Sequence, residues 1–290
     1  MRIAPFKAFP GARFMAEKVL VIAPHPDDEA IGCGGTICLH CRRGDPVRVV
    51  FLTSGEQGAP GGPEEGVKSV REAEARAAGT VLGVERLDFL RLPDLGLGEN
   101  LERGAERLAE VLAGQRPDLI YLPHPEEDHP DHAATLPMAR MALAHLGDDR
   151  PLPELRGYEV WSPMTHWEWV EEIGGVMGQK LRAVRCYRSQ LRLFRYDHAV
   201  RGLNRYRGIM AAGSAYAEAF RYFDPHLARP SPSRDTGPAA AGHLILCPRW
   251  FSGVGRQSRG RSSFYPSGGP GGPERPPWPR GRGLPGRRRR

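Results

Sequence analysis
The sequence predicts an α/β protein built on a Rossmann-like, doubly wound and mainly parallel sheet flanked by helices. Three observations carry this expectation. Short apolar runs recur through the first 160 or so residues, helical stretches alternate with them, and two of the runs end in dense clusters of His, Asp and Glu. Strand alternating with helix is the pattern of a parallel sheet covered on both faces. Right-handed crossovers make a doubly wound layer its natural topology.

The elements follow in order. Val19-Leu20-Val21-Ile22 predicts a buried strand over 18–23, and a helix is expected over 31–43. Between them lies Ala23-Pro24-His25-Pro26-Asp27-Asp28-Glu29, one imidazole and three carboxylates at a strand tip, where open α/β sheets bind ligands. Acids just ahead of a helix are also common caps, because they accept hydrogen bonds from unpaired amides. That reading covers one or two of them, but not the adjacent His. Gly32-Cys33-Gly34-Gly35-Thr36 has neither dinucleotide nor Walker spacing. Its glycines are expected to let the helix approach the sheet and the site closely.

Further strands are expected at 47–53, 86–90, 118–122 and 157–162, and helices at 66–82, 100–114 and 131–146. The run Leu119-Ile120-Tyr121-Leu122 ends in a second cluster, His124-Pro125-Glu126-Glu127-Asp128-His129-Pro130-Asp131-His132, with His132 in the first turn of the next helix. The two clusters thus occupy equivalent places. A His and an Asp offered there can ligate zinc, leaving a second Asp to work on water. After Pro163 the pattern changes: Trp161, Trp167 and Trp169 crowd together, and helical text follows at 176–187 and 197–221. This predicts a C-terminal extension, from about residue 163, that packs beside the sheet and helps wall the site. Its aromatics are expected in ordinary core packing, with stacking on sugar faces as the alternative.

Composition narrows the class. No stretch of about 18 uninterrupted apolar residues is present, so no membrane span is expected. Charge scattered through the N-terminus argues against a secretion signal, and a cytoplasmic location is expected. Five cysteines at irregular spacing do not suggest a disulfide framework. Cys38 and Cys41 have the spacing of half a zinc site, but no second half is nearby, and they are read as small helix residues. The basic balance belongs to 229–290 alone, where 13 Arg face two acids; residues 1–228 carry a net charge of −4. That Arg/Gly/Pro-rich tail is expected to be disordered. Two origins are open: an arm that attracts phosphate, or, the reading preferred here, a coding region read out of frame. The chain therefore divides into a domain over 1–228 and the tail over 229–290.

His25-Pro26-Asp27-Asp28-Glu29 with His129-Pro130-Asp131-His132 resembles the signature pair of the zinc-dependent N-acetylglucosaminyl deacetylases, the LmbE-like or PIG-L family. Thr53-Ser54-Gly55-Glu56, Arg71-Glu72-Ala73-Glu74, Leu82-Gly83-Val84, Leu92-Pro93-Asp94, Tyr187-Arg188-Ser189-Gln190, Asn204-Arg205-Tyr206-Arg207-Gly208 and Ala217-Glu218-Ala219-Phe220 extend the likeness over about 17–224. The resemblance implies His25, Asp28 and His132 as ligands of Zn2+, with Fe2+ able to occupy the same set. It implies Asp27 as general base, His129 as oxyanion stabiliser and proton donor, and Asp131 as the group orienting His129. Either Asp27 or His129 is left to protonate the departing amine. Arg71 and Asp94 fall where the family contacts the sugar or its appended group. Some relatives place a Tyr where this chain has Glu127, and Glu56 is expected to shape a strand tip rather than bind metal.

The implied activity is removal of acetyl, by zinc-activated water, from an N-acetylglucosamine conjugate. The malate- or inositol-linked sugar of low-molecular-weight thiol (bacillithiol or mycothiol) synthesis is the first reading, with residues 197–221 favouring the malate branch. Diacetylchitobiose or a glycosylated natural product is the alternative substrate. A reading of another class is a nucleic-acid-binding protein acting through its arginine tail. The expected partner is a small amino sugar, with no membrane, no nucleic acid for the folded domain, and self-association into a homo-oligomer.

Overall fold
The computed structural model describes residues 16–58, 64–146 and 151–226; the tail at 229–290 lies outside them. Seven strands form one sheet in the order β3-β2-β1-β4-β5-β7-β6. They are β1 Val19–Ala23, β2 Val47–Phe51, β3 Arg86–Phe89, β4 Leu119–Pro123, β5 Glu154–Tyr158, β6 Trp169–Glu172 and β7 Ala217–Phe223. The first five run parallel, as the alternation of strand and helix predicts, and β7 and β6 close the β5 edge antiparallel.

Strand alternation sorts the core into two layers. Val19, Val21, Val49 and Phe51 face α1 (Asp28–Arg43), α2 (Glu64–Leu82) and α5 (Met177–Val184). Leu20, Ile22, Val50 and Leu52 face α3 (Leu101–Gln115) and α4 (Pro130–Ala144). The chain winds outward from β1 in one direction through β2 and β3, and in the other through β4 and β5. The crevice between the tips of β1 and β4 is therefore the topological switch point, where open sheets of this kind bind ligands.

Three expectations shift. The strand expected at 157–162 is β5 at Glu154–Tyr158. The amides of Val160, Trp161 and Ser162 leave the ladder because all three donate to the Glu127 carboxylate, at 2.6, 2.9 and 3.0 Å. The helix expected over 197–221 is α7, Tyr196–Arg207, followed by one π turn at Gly208–Ala212 and then β7. Gly213, at φ +63°, ends the helical path. A side chain at Gly208 would meet the Tyr216 backbone at 2.6 Å, so only glycine admits the return. The tryptophans also divide. Trp167 and Trp169 pack against buried clusters, but Trp161 is 48% exposed and is not a core residue.

The C-terminal extension does more than lie beside the sheet. α1 kinks at Cys33, and the amides that restart the helix, Gly35 and Thr36, donate to Glu218 of β7 at 2.8 and 2.7 Å. Glu218 in turn pairs with Lys180 of α5 at 2.6 Å, both side chains fully buried. Gly32 lies so close to β5 that a Cβ there would sit 2.1 Å from the Tyr158 ring. The glycine run thus serves close approach, not phosphate binding. Cys33 and Cys38 are buried free thiols and Cys41 and Cys186 are partly buried, while Cys247 lies outside the described residues.

Candidate metal centre and its surroundings
The loop after β1 turns sharply at Asp27, whose φ of +134° is a conformation that side chains rarely adopt. Such backbone costs about 1–3 kcal/mol and persists only where the surroundings impose it. Here the Asp27 amide donates to Glu29 Oε2 at 3.2 Å, and Tyr187 OH holds Glu29 Oε1 at 2.5 Å. Arg71, reaching in from α2, donates to the carbonyls of Pro26 and Gly55 and lies 3.3 Å from Asp27 Oδ2. The buried carboxyl of Asp27 is thereby held against Arg71 at the tip of β1.

His25, Asp28 and His132 meet at one atom. Asp28 Oδ2, fixed by the His25 amide at 2.9 Å, lies 3.2 Å from both His25 Nδ1 and His132 Nε2. His25 Nε2 faces the carboxylates of Asp94 at 3.0 Å and Asp131 at 3.2 Å. With its proton held on that side, a neutral His25 presents a lone pair from Nδ1 towards the lone pairs of Asp28. His132 is fully buried, and neither of its ring nitrogens has an aligned hydrogen-bond partner. In their neutral forms these rings would aim lone pairs at Asp28 across 3.2 Å, a repulsion that either a proton or a bound cation between them resolves. Donors bound about 2.0–2.1 Å from a tetrahedral zinc lie roughly 3.3 Å apart. Asp28 thus stands at that spacing from each imidazole, and the His25–carboxylate contacts are of the kind that orient a metal-binding imidazole. His25, His129 and His132 offer ligand atoms within 4.8 Å of one another, as do His25, Asp94 and Asp131.

Electrostatics separate the groups. Burial pushes the Asp27 carboxyl well above the usual range, with the Arg71 charge opposing it. Burial acts the same way on Asp28, but the two imidazoles outweigh it and keep that carboxyl strongly acidic. Burial would depress His132, yet Asp28 and Glu127 lift it to about 9. His129 is lowered to about 4 by burial and then by the charges of His25 and His132. Two adjacent acids and two nearby imidazoles are thus driven to opposite protonation preferences, an arrangement typical of acid–base sites.

Every residue expected at the site lies in or beside this crevice, but three act on neighbours other than those expected. Asp131 does not orient His129 through its carboxylate. Its oxygens accept from the amides of Leu95 and Leu97 at 2.8 and 3.0 Å and face His25. It is the Asp131 amide that donates to His129 Nδ1, at 3.2 Å, because His129 is the N-cap of α4. Asp94 is turned to His25 and to the Gln57 amide, with its carboxyl held at about 2 by His25 despite burial. Arg71 is 4% exposed, and its terminal nitrogens are committed to Pro26, Gly55 and Asp27. It faces Asp27 rather than open space.

Sequence reasoning missed the part played by Glu127. Its carboxylate is 3.4 Å from His124 Nε2 and 3.7 Å from His132 Nδ1 while it gathers the 160–162 amides. One acid among several in a short cluster cannot be assigned to an imidazole from spacing alone. Glu56, expected at a strand tip, ties the loop after β2 to that after β3 by accepting the Asp94 amide at 3.1 Å.

The chain is similar to known deacetylases. The family model described as PIG-L, GlcNAc-PI de-N-acetylase, matches residues 20–143. A diacetylchitobiose deacetylase of Thermococcus kodakarensis is 32% identical over 223 residues, 71% of this chain and 83% of that protein. A probable N-acetyl-alpha-D-glucosaminyl L-malate deacetylase 2 of Bacillus cereus is 30% identical over 190 residues, 61% of this chain and 84% of the relative. Among solved structures, a conserved protein from Thermus thermophilus superposes with a TM-score of 0.64 at 32% identity, covering 75% of this chain and 99% of its own.

Proposed function
Given that the chain belongs to the PIG-L family and is a deacetylase of N-acetylglucosamine-type substrates, we propose that the crevice between β1 and β4 hydrolyses the acetamide of a conjugated amino sugar around a metal held by His25, Asp28 and His132. The observation that carries this is the meeting of both imidazoles on Asp28 Oδ2 with Asp27 alongside. A divalent ion there, zinc or iron(II), supplies Lewis acidity that polarises the acetyl carbonyl and makes water a stronger acid.

The remaining work falls to side chains. Asp27, raised by burial but kept ionisable by Arg71, takes the proton of the attacking water on its free carboxylate oxygen. His129 accepts the Asp131 amide at Nδ1, so its single proton sits on Nε2. With its pKa lowered to about 4 it works as a neutral donor at about pH 7, stabilising the developing oxyanion. The departing amine takes its proton from Asp27, which then returns to its starting state. The conjugate is read as the malate- or inositol-linked sugar or diacetylchitobiose.

Asp27→Asn keeps the shape of the site and removes the base. The expected result is a fall in acetate release of at least about 100-fold, with bound zinc per chain unchanged by elemental analysis. Full activity in that variant would sink the mechanism.

A further inference from the structure
Charge is unevenly spread over the folded domain. Between residues 173 and 216 the chain carries eight Arg and one Lys against a single acid, Asp197. That segment is net +8, whereas the rest of residues 1–228 is net −12. Lys180 and Arg207 are buried on Glu218 and Glu159. The other seven arginines of the segment are exposed. Arg185 and Arg195 share the buried carboxylate of Asp197, and the remaining five form no ion pair among the described residues.

Three of these arginines line a cavity of about 540 Å³ beside α5 and α7 that shares no lining residue with the crevice. Arg185 caps the end of α5, Arg201 and Arg205 stand one turn apart on α7, and Tyr216 comes from the approach to β7. Like charges four positions apart on a helix repel. Their bonds to the protein do little to relieve this. Arg201 reaches Tyr216 OH only through Nε, at 3.4 Å, and Arg205 reaches the Ala215 carbonyl only through Nη1, at 3.3 Å. Both bonds are long, and the other guanidinium nitrogens of the two side chains have no hydrogen-bond partner among the described residues. The one acid in the lining, Asp197, is already engaged by Arg185 at 3.3 Å and by Arg195 at 3.1 Å. His198 accepts from the Arg195 guanidinium at 2.7 Å and adds no negative charge.

A concave site with convergent guanidiniums and too few acids to balance them is suited to an anion that such forks bind through paired oxygens. We propose that this cavity is a binding site, separate from the crevice, for a compact anion carrying two or more phosphate groups. Arg185, Arg201 and Arg205 leave a net charge of +2 after Asp197, which a single carboxylate does not balance. A closed-in cavity suits a short oligophosphate better than a long nucleic-acid strand, which follows an extended groove. The phosphates belong either to a free oligophosphate or to a nucleotide, whose base has the Tyr216 ring available beside it.

The test is calorimetric titration of the zinc-loaded full chain with orthophosphate, inorganic triphosphate and ATP. Triphosphate is expected to bind at least about tenfold more tightly than orthophosphate. Arg201→Gln and Arg205→Gln, both at exposed positions, should each weaken triphosphate about tenfold, with Tm in the absence of anion unchanged. Arg103→Gln, an exposed change on α3, should leave the affinity as it is. ATP binding above triphosphate identifies a nucleotide as the source; ATP equal to or below it identifies a bare oligophosphate. Affinity kept in the double variant Arg201→Gln/Arg205→Gln places the anion at the metal or on the arginine tail and overturns the proposal. So does triphosphate binding no tighter than orthophosphate, an equal loss in Arg103→Gln, or a single-stranded oligonucleotide held more tightly than triphosphate through the same two arginines.

Discussion
Arg71 shows how much a single side chain decides at this site. Buried at 4% exposure, it fixes two carbonyls of the β1 and β2 loops and sets its charge against Asp27. If Arg71 holds Asp27 as the base, as proposed, Arg71→Met should lower kcat by about tenfold or more with KM little changed. Arg71→Lys, which keeps the charge but not the fork, should restore only part of the loss. A steady-state kinetic series checks both, and a rise in KM alone would return Arg71 to the substrate. The residues proposed as ligands and base are legible in the sequence as a cluster, because His and Asp concentrated at two strand tips are more than helix capping or a solvated surface requires. Which neighbour each side chain faces is not legible there. The motif pairs Asp131 with His129 two positions away, whereas its carboxylate meets His25 from 106 positions away. That pairing depends on β1 lying beside β4, a property of the sheet and not of either motif.

Among the elements, α1 carries Asp28 at its first turn and is anchored at its kink by Glu218 and Lys180. Removing one partner of a fully buried ion pair leaves a charge without compensation. Lys180→Met should therefore cost about 3–5 kcal/mol in urea unfolding. An exposed pair would cost far less, so a loss below about 1 kcal/mol would contradict the burial. The parallel strands and their helices can be read from the chain because apolar runs and helical periodicity agree locally. β6 and β7 cannot. Ala217-Glu218-Ala219-Phe220 suits a helix equally well, and only pairing with β5 and the buried contact of Glu218 make it a strand.

On the other side of the sheet, Arg48 of β2 pairs with Asp88 of β3 at 2.5 Å, and although burial opposes it, Arg48 holds the Asp88 carboxyl below its ordinary value. A carboxyl depressed in the folded state contributes stability above the unfolded pKa of about 3.9 and loses it as pH falls through the folded value. The gap in Tm between the parent and Arg48→Met should be constant above about pH 5 and narrow below about pH 4. A gap independent of pH would show that packing, not charge, sets it.

For the whole molecule, the switch-point crevice draws on the tips of β1, β2, β3 and β4, so an ion bound there should brace the central sheet. Zinc at about 100 times its dissociation constant should stabilise the fold by about 2.7 kcal/mol, raising Tm by roughly 5–10 °C for a chain of this size. Asp28→Ala should abolish the shift, as read by scanning calorimetry with and without chelator. Among the described residues no helix is long and apolar enough to cross a membrane. The adjacency of β1 and β4 has a further consequence for synthesis. A ribosome delivers His25 and Asp28 early and His132 only after β2, α2, β3 and α3 have emerged. If these three residues hold the ion as proposed, the set stays incomplete and open until then, and its closure coincides with the docking of β4. An arrested or truncated chain ending before that strand should then be prone to mismetallation.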